Sequence, residues 1–146
     1  MVFDGCKGPY FSSPHNGPLV VELKVASATI RRILIDTGSS LDIIMWDCFK
    51  KLKHLGRVII PLVHLILGFG GYQVNPTRMI RFLLRFGYKV KVRYLKIDFL
   101  VVDVPTAYNV ILGRPTLYKV KVVIASRLLQ LQFEADNGSV GKLQED

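Results

Sequence analysis

Ile33-Leu34-Ile35-Asp36-Thr37-Gly38-Ser39-Ser40 is the stretch on which the architecture turns. Three large apolar residues in a row are what a strand buried on both faces requires. The chain then passes at once into a loop of small polar residues that opens on a carboxylate. Burial raises a carboxyl pKa, and a nearby like charge raises it further. Two such groups about 3 Å apart cannot both ionise, so they share one proton. One can then take a proton from water while the other protonates a carbonyl oxygen. Thr37 supplies a small hydroxyl to hold the loop, and Gly38 has no Cβ where backbone must approach a ligand closely. The triplet alone carries the false-positive risk of any short motif. The competing reading of Asp36 is an Asx turn that closes a strand.

Working outward, Leu19, Val21, Leu23 and Val25 alternate with Val20, Glu22 and Lys24, which predicts a strand. Thr29 to Ile35 is the second. Asp42 is expected to cap a helix running to about His54, because Ile43, Trp46, Phe49 and Leu52 recur at three-residue spacing and Lys50, Lys51 and Lys53 lie near its end. Val58 to Leu67 is strand-like, with Pro61 placing it at an edge. Gly68-Phe69-Gly70-Gly71 reads as a hairpin tip. Met79 to Phe86 and Lys89 to Val104 form a long hairpin about Gly87. Asn109 to Leu112 is a short strand, and Pro115 opens a short helix towards Lys119. Val120 to Ala125 and Leu128 to Phe133 are strands. Asp136-Asn137-Gly138 is a turn, and Val140 to Leu143 pairs back. Residues 1–17, rich in Gly, Pro and Ser, read as a tail, with one domain over 18–146. Many short strands with few helical segments predict a mainly β barrel or sandwich.

Composition narrows the function classes. A chain of 146 residues is about one domain's worth. Half of the residues are hydrophobic and mean hydropathy is +0.32, yet the apolar runs are short. None approaches the ~20 residues that a spanning helix needs, so no membrane association is expected. Met1 to Tyr10 carries Asp4 and Lys7 and lacks the apolar run of a secretory leader. Two cysteines, Cys6 and Cys48, read as free thiols in a reducing compartment rather than a disulfide framework. His15, His54 and His64 are scattered, and neither they nor the cysteines have metal-ligand spacing, so no metal or other cofactor is expected. The net charge is +9. Lys89, Lys91 and Arg93 alternate and so share one strand face, either as a solvated surface or as a stripe for phosphates. No stacking motif or nucleic-acid-binding fold pattern accompanies them.

Downstream lies Val110-Ile111-Leu112-Gly113-Arg114, apolar residues and a glycine ahead of a helix. With Asp36-Thr37-Gly38 and the Gly68–Gly71 tip, it makes the chain resemble the retropepsins, the aspartic proteases of retroviruses and LTR retrotransposons. The run from Asp98 to Thr116, and Pro14-His15-Asn16, look like the protease segment of plant gypsy-type retrotransposon gag-pol polyproteins. The resemblance covers about residues 14 to 146. It implies a closed, mainly β barrel with one or two short helices. Asp36 then matches the catalytic aspartate, Thr37 the residue whose hydroxyl locks the two active-site loops together, and Gly38 the glycine whose carbonyl holds substrate backbone. Ser39, Ser40 and the flap tip Gly68, Phe69, Gly70 and Gly71 fall to substrate binding. Ile111, Leu112, Gly113 and Arg114 fall to structural support beneath the loop.

The implied activity is endopeptidase action on a polypeptide bound as an extended strand, without cofactor, inside the cell, in the cytoplasm or within virus-like particles. The chemistry needs two aspartates and the chain holds one Asp-Thr-Gly, so a homodimer is expected. One departure stands out. Many retroviral enzymes place an aspartate two residues after the motif's glycine to pair with the arginine of the later segment. Ser40 occupies that place, and Asp42 is the candidate partner left for Arg114. Two other readings remain open: a catalytically inactive dimerisation or interaction module of the same fold, and a basic β-domain that binds nucleic acid, which under the protease reading is an unexpected or incidental ligand.

Overall fold

The computed structural model describes residues 19–60, 67–69, 72–74, 78–125 and 130–144. β1 (Leu19–Val25) buries every second residue, as its alternation predicts. It turns at Ala26-Ser27 into β2 (Ala28–Ile35). Both turn residues have positive φ, 52° and 64°, the sense that matches the twist of a tight hairpin. There follow β3 (Ile43–Met45), α1 (Trp46–Leu52), a 3₁₀ turn (Lys53–Leu55), β4 (Arg57–Ile60), β5 (Leu67–Phe69) and β6 (Tyr72–Val74). The rest comprises β7 (Arg78–Tyr88), β8 (Lys91–Val102), β9 (Val110–Leu112), α2 (Arg114–Lys119), β10 (Val123–Ala125), β11 (Gln130–Glu134) and β12 (Val140–Gln144).

The main sheet runs β1-β2-β9-β3-β8-β7, and β7 pairs back onto β1, which closes a barrel. β4 adds to β7 outside the ring. Two pairings are parallel. Ile33, Leu34 and Ile35 lie against Val110, Ile111 and Leu112, and Ile43 to Met45 lie against Leu100 to Val102. The predicted mainly β barrel with short helices is therefore the observed architecture. β3, β9 and the end of β8 are buried on both faces. Ile33, Ile44, Val101, Val110 and Leu112 enter the main core, whereas Ile43, Met45, Leu100, Val102 and Ile111 form a second cluster on the other side. β10, β11 and β12 make a separate sheet that sends Ile124, Leu131, Phe133 and Leu143 into the main core.

Three expectations change. The helix expected from Asp42 begins only at Trp46, with Met45 as its N-cap residue. Ile43-Ile44-Met45 is instead a strand, wholly buried, threaded between β8 and β9. Three-residue spacing is compatible with a helix, but three consecutive buried residues need partners on both sides, and only distant strands supply them. Second, the strand expected over Val120 to Ala125 begins only at Val123, after α2 ends at Lys119 with Val120 as its C-cap residue. Third, the long hairpin turns at Lys89-Val90, with Tyr88 opposite Lys91, and not at Gly87. The interior of the expected Val58–Leu67 strand, residues 61–66, lies outside the described residues, as do residues 126–129 and the tail.

Gly87 has a different task. It sits within β7 opposite Val92 with φ +110°. A Cβ there would lie 2.3 Å from the Lys91 carbonyl oxygen and 2.5 Å from Cζ of Phe133. Gly141 faces the same ring, where a Cβ would come within 2.4 Å. The Phe133 ring is thus seated between two glycines and meets Phe86 edge-on at 4.8 Å. This seat fastens the outer sheet to the barrel. Gly87→Ala is expected to cost about 3 kcal/mol, from overpacking and a strained φ together. Urea denaturation checks this, as a lower midpoint at unchanged slope. An unchanged midpoint would show that Phe133 is not locked there.

Candidate active site

β2 ends at Ile35, and Asp36 starts the loop. Its amide donates to the Leu112 carbonyl at 2.9 Å, continuing the parallel ladder by one bond past the strand end. The Gly38 amide donates to Asp36 Oδ1 at 2.8 Å, and the Ser39 amide to the Asp36 carbonyl at 3.2 Å. The carboxylate therefore does close an Asx turn, and that turn orients it. Among the described residues its other oxygen has no donor. Asp36 and Thr37 are half-buried, and Gly38 is exposed. A Cβ on Gly38 would fall 3.2 Å from Asp36 Oδ1.

The loop is then stitched to β9 and α2. Ser39 Oγ donates to the Leu41 carbonyl at 2.7 Å. The Arg114 amide donates to the Ser39 carbonyl at 2.9 Å. Gly113 lies so close beneath that an added Cβ would meet the Leu41 carbonyl oxygen at 2.3 Å and that of Ser39 at 2.7 Å. Ile111 and Leu112 are both buried, but on opposite faces of β9. The expected supporting segment 111–114 is thus brought under the loop as a unit. Ser40 is exposed and makes no side-chain hydrogen bond among the described residues.

The suggested Arg114–Asp42 pair does not form. Arg114 Nη1 donates to the Thr37 carbonyl at 3.4 Å. Asp42 is instead buried, accepting from the Gly113 amide at 2.8 Å on Oδ1 and from the Thr116 hydroxyl at 2.8 Å on Oδ2. Its two oxygens are thereby engaged by Gly113, the N-cap residue of α2, and by Thr116, while the Arg114 guanidinium is turned to Thr37. Burial pushes the Asp42 carboxyl from 3.8 up to about 6, against the pull of the hydrogen-bonding groups of Gly113 and Thr116 and of Lys119. The folded protein then holds this proton more tightly than the unfolded chain does. The associated stability is complete below about pH 4 and is lost as pH rises through about 6. A gap of that size corresponds to about 3 kcal/mol. Asp42→Asn cannot titrate, so between pH 4 and 7 the parent should lose up to that much stability relative to the variant. Urea midpoints measured across this range check it, and parallel pH profiles would contradict it.

The remaining candidates divide. Gly68 and Phe69 lie in β5, which pairs with β6 so that Phe69 faces Tyr72 across the ladder. Gly70 and Gly71 lie outside the described residues. The basic stripe is not a stripe. Lys89 is in the turn with φ +56°, and half-buried Arg93 is engaged by Glu134 at 3.6 Å and Asp136 at 3.5 Å. Among the histidines, His54 is an exposed residue of the 3₁₀ turn, and His15 and His64 lie outside the described residues. Cys48 is a buried free thiol whose pKa burial pushes up to about 11, while Cys6 is outside the described residues. No cluster of three or more metal-ligating side chains occurs among the described residues.

Two residues next to the site carried no signal in the sequence. Arg32 sits at a bulge of β2 with φ +59°, where the register against β1 shifts. Asn109 pins that bulge: its amide donates to the Arg32 carbonyl at 3.0 Å and its side chain to the Arg31 carbonyl at 2.7 Å. The bulge re-aims the last residues of β2 toward β9. An arginine does not advertise a left-handed backbone.

No protein-family model matches the sequence, and no curated protein does. Solved structures do match. The retroviral protease-like domain of Ddi1 from Leishmania major aligns with TM-score 0.61 at 19% identity, over 88% of this chain and 96% of that one. The EIAV protease, solved with the inhibitor HBY-793, aligns with TM-score 0.52 at 21% identity, over 75% and 93%. At such identities the likeness speaks for the backbone alone. Together with the closed ring, the parallel β2–β9 and β3–β8 pairs and the loop seated on β9, it makes this chain's architecture a retropepsin-like β-barrel.

Proposed function

We propose that this chain is one half of a homodimeric aspartic endopeptidase in which Asp36 is the catalytic carboxylate. The observation that carries the reading is the loop itself: a half-buried carboxylate directly after the buried end of β2, where Ile33 and Ile35 enter the core, held by the Gly38 amide through one oxygen, in a retropepsin-like barrel. Two copies of that loop about a two-fold axis supply two carboxylates. They share one proton. The ionised one takes a proton from a water, whose oxygen attacks the peptide carbonyl carbon. The protonated one gives its proton to the carbonyl oxygen. The resulting diol collapses as the amide nitrogen is protonated and the C–N bond breaks. Thr37 holds the two loops together, while the Gly38 carbonyl, Ser39 and Ser40 contact substrate backbone. Gly68, Phe69, Gly70 and Gly71 act as a flap that closes over an extended peptide and excludes water. We assign the chain to polyprotein processing in a plant gypsy-type retrotransposon, on the strength of the Asp98–Thr116 run, with action in the cytoplasm or in virus-like particles.

Activity and self-association test the reading together. Purified chain should cleave a peptide mixture at about pH 4–6, the range of a shared-proton pair. A statine-containing peptide should inhibit it. Specific activity should rise with protein concentration in step with the dimer fraction measured by light scattering. A monomer that cleaves at full rate would overturn the two-fold site. The alternative within the same fold is a catalytically inactive dimerisation or interaction module. A stable dimer with no cleavage at any concentration would favour it.

A further inference from the structure

We propose that Asp42 is a positioning residue for the Asp36 loop, tying the loop's far end to Gly113 and Thr116 so that the Asp36 carboxylate stays aimed. What is positioned rests on the peptidase reading above; the tether rests on geometry alone. Besides the Arg114 guanidinium on the Thr37 carbonyl at 3.4 Å, three links join residues 36–42 to residues 112–116. Asp36 N–H meets the Leu112 carbonyl, and Arg114 N–H meets the Ser39 carbonyl, both at 2.9 Å. The third is the Asp42 carboxyl, which takes the Gly113 amide and the Thr116 hydroxyl, each at 2.8 Å. The first two are backbone bonds that almost any sequence makes. The third exists only because this side chain is here.

Its surroundings make the tether rigid. Asp42 is 4% exposed and Thr116 is fully buried. The Asp42 carbonyl accepts the Leu100 amide at 2.9 Å, so the residue is also fixed to β8. Leu100, Ile111 and Leu112, on the neighbouring strands β8 and β9, are all buried. The charged groups of α2 are Arg114, whose guanidinium is on Thr37, and Lys119, which acts on Asp42 only through space. A carboxyl buried without an ion-pair partner among the described residues is an expensive choice for a merely structural position, where apolar packing serves as well. It is suited to gripping one N–H and one O–H at once. An asparagine makes the same two bonds, accepting from Gly113 and donating to Thr116 Oγ1. An alanine makes neither.

The experiment compares Asp42→Ala, Asp42→Asn and Thr116→Val with the parent, by peptidase kinetics and by amide hydrogen exchange of residues 36–41 and 113. Asp42→Ala should lower kcat about 100-fold with KM within about threefold, the signature of a misaimed group rather than a lost substrate contact. It should also lose exchange protection in the loop while β7 and β8 keep theirs. Asp42→Asn should restore most of both. If Asp42→Ala does not fold, Thr116→Val, which deletes one bond and keeps volume, should lower kcat about fivefold to tenfold with partial loss of protection. A folded Asp42→Ala, or a Thr116→Val, with parental kcat and a protected loop overturns the tether. So does an Asp42→Asn as impaired as the alanine. If the parent does not cleave peptides but Asp42→Ala still loses loop protection, the peptidase reading falls and the tether stands.

Discussion

Asp36→Asn should abolish peptide cleavage, by about 10³-fold or more, while leaving the barrel intact. The size follows from the chemistry. An amide neither accepts the proton of the attacking water nor shares one with a partner carboxylate, and a positioned acid–base group is worth about 10²–10⁴-fold. The structural neutrality follows from the loop. Asp36 uses one oxygen to accept the Gly38 amide, and an asparagine oxygen accepts the same bond. Thermal unfolding should therefore be nearly unchanged. Mixing supplies the sharper measurement. If each site needs one Asp36 from each of two chains, an equal mixture of parent and variant at fixed total protein retains about one quarter of the parental activity after exchange. Retention of about one half would mean that each chain carries a complete site. Parental rates in the pure variant would remove Asp36 from the mechanism.

Gly113→Ala is expected to damage both stability and activity. The added Cβ would meet two backbone oxygens, those of Leu41 and Ser39, at 2.3 and 2.7 Å. Neither can rotate aside, because the Ser39 carbonyl is already engaged by Arg114 and the Gly113 amide by Asp42. The φ of Gly113, −100°, is open to any residue, so the requirement is one of space alone. Overpacking against backbone should cost about 3 kcal/mol or more. In whatever fraction folds, a shift of the loop by a fraction of an ångström should lower kcat about 100-fold. Gly38→Ala is the control. Its Cβ would meet only the Asp36 side chain, at 3.2 Å, at an exposed position. It should lose activity with much less stability. Urea midpoints and kcat for the pair check this. Equal stability losses would show that Gly113 is not the wedge point between loop and β9.

These outcomes connect through one arrangement. Loop 36–42 rides on residues 112–116, and what perturbs the ride reaches Asp36 without touching it. Stability is therefore expected to couple to activity more strongly at Gly113 and Asp42 than at Gly87. Gly87 lies where Phe133 of the outer sheet meets the barrel.

Much of this was legible in the residue order. Periodicity alone marked β1, β2, the short β9, the Pro115 helix and the turn at Asp136–Gly138, because each is specified by near neighbours: alternation, a proline at a helix start, an Asn-Gly pair. The Ile33–Ser40 stretch marked a buried strand that ends on a carboxylate, and Ile111–Arg114 marked its support. Tertiary structure alone decided the rest. Ile43–Met45 became a strand because β8 and β9 stand on either side of it. Gly87 became a seat because Phe133, far along the chain, needed one. Asp42 left both the helix cap and Arg114 because Gly113 and Thr116 offered donors in a buried place. Arg93 left the basic stripe because Glu134 and Asp136 reached it. Local pattern fixes what a segment prefers; the partner of a buried polar group, or of a strand edge, is chosen by whichever distant residue the closed barrel brings within hydrogen-bonding distance.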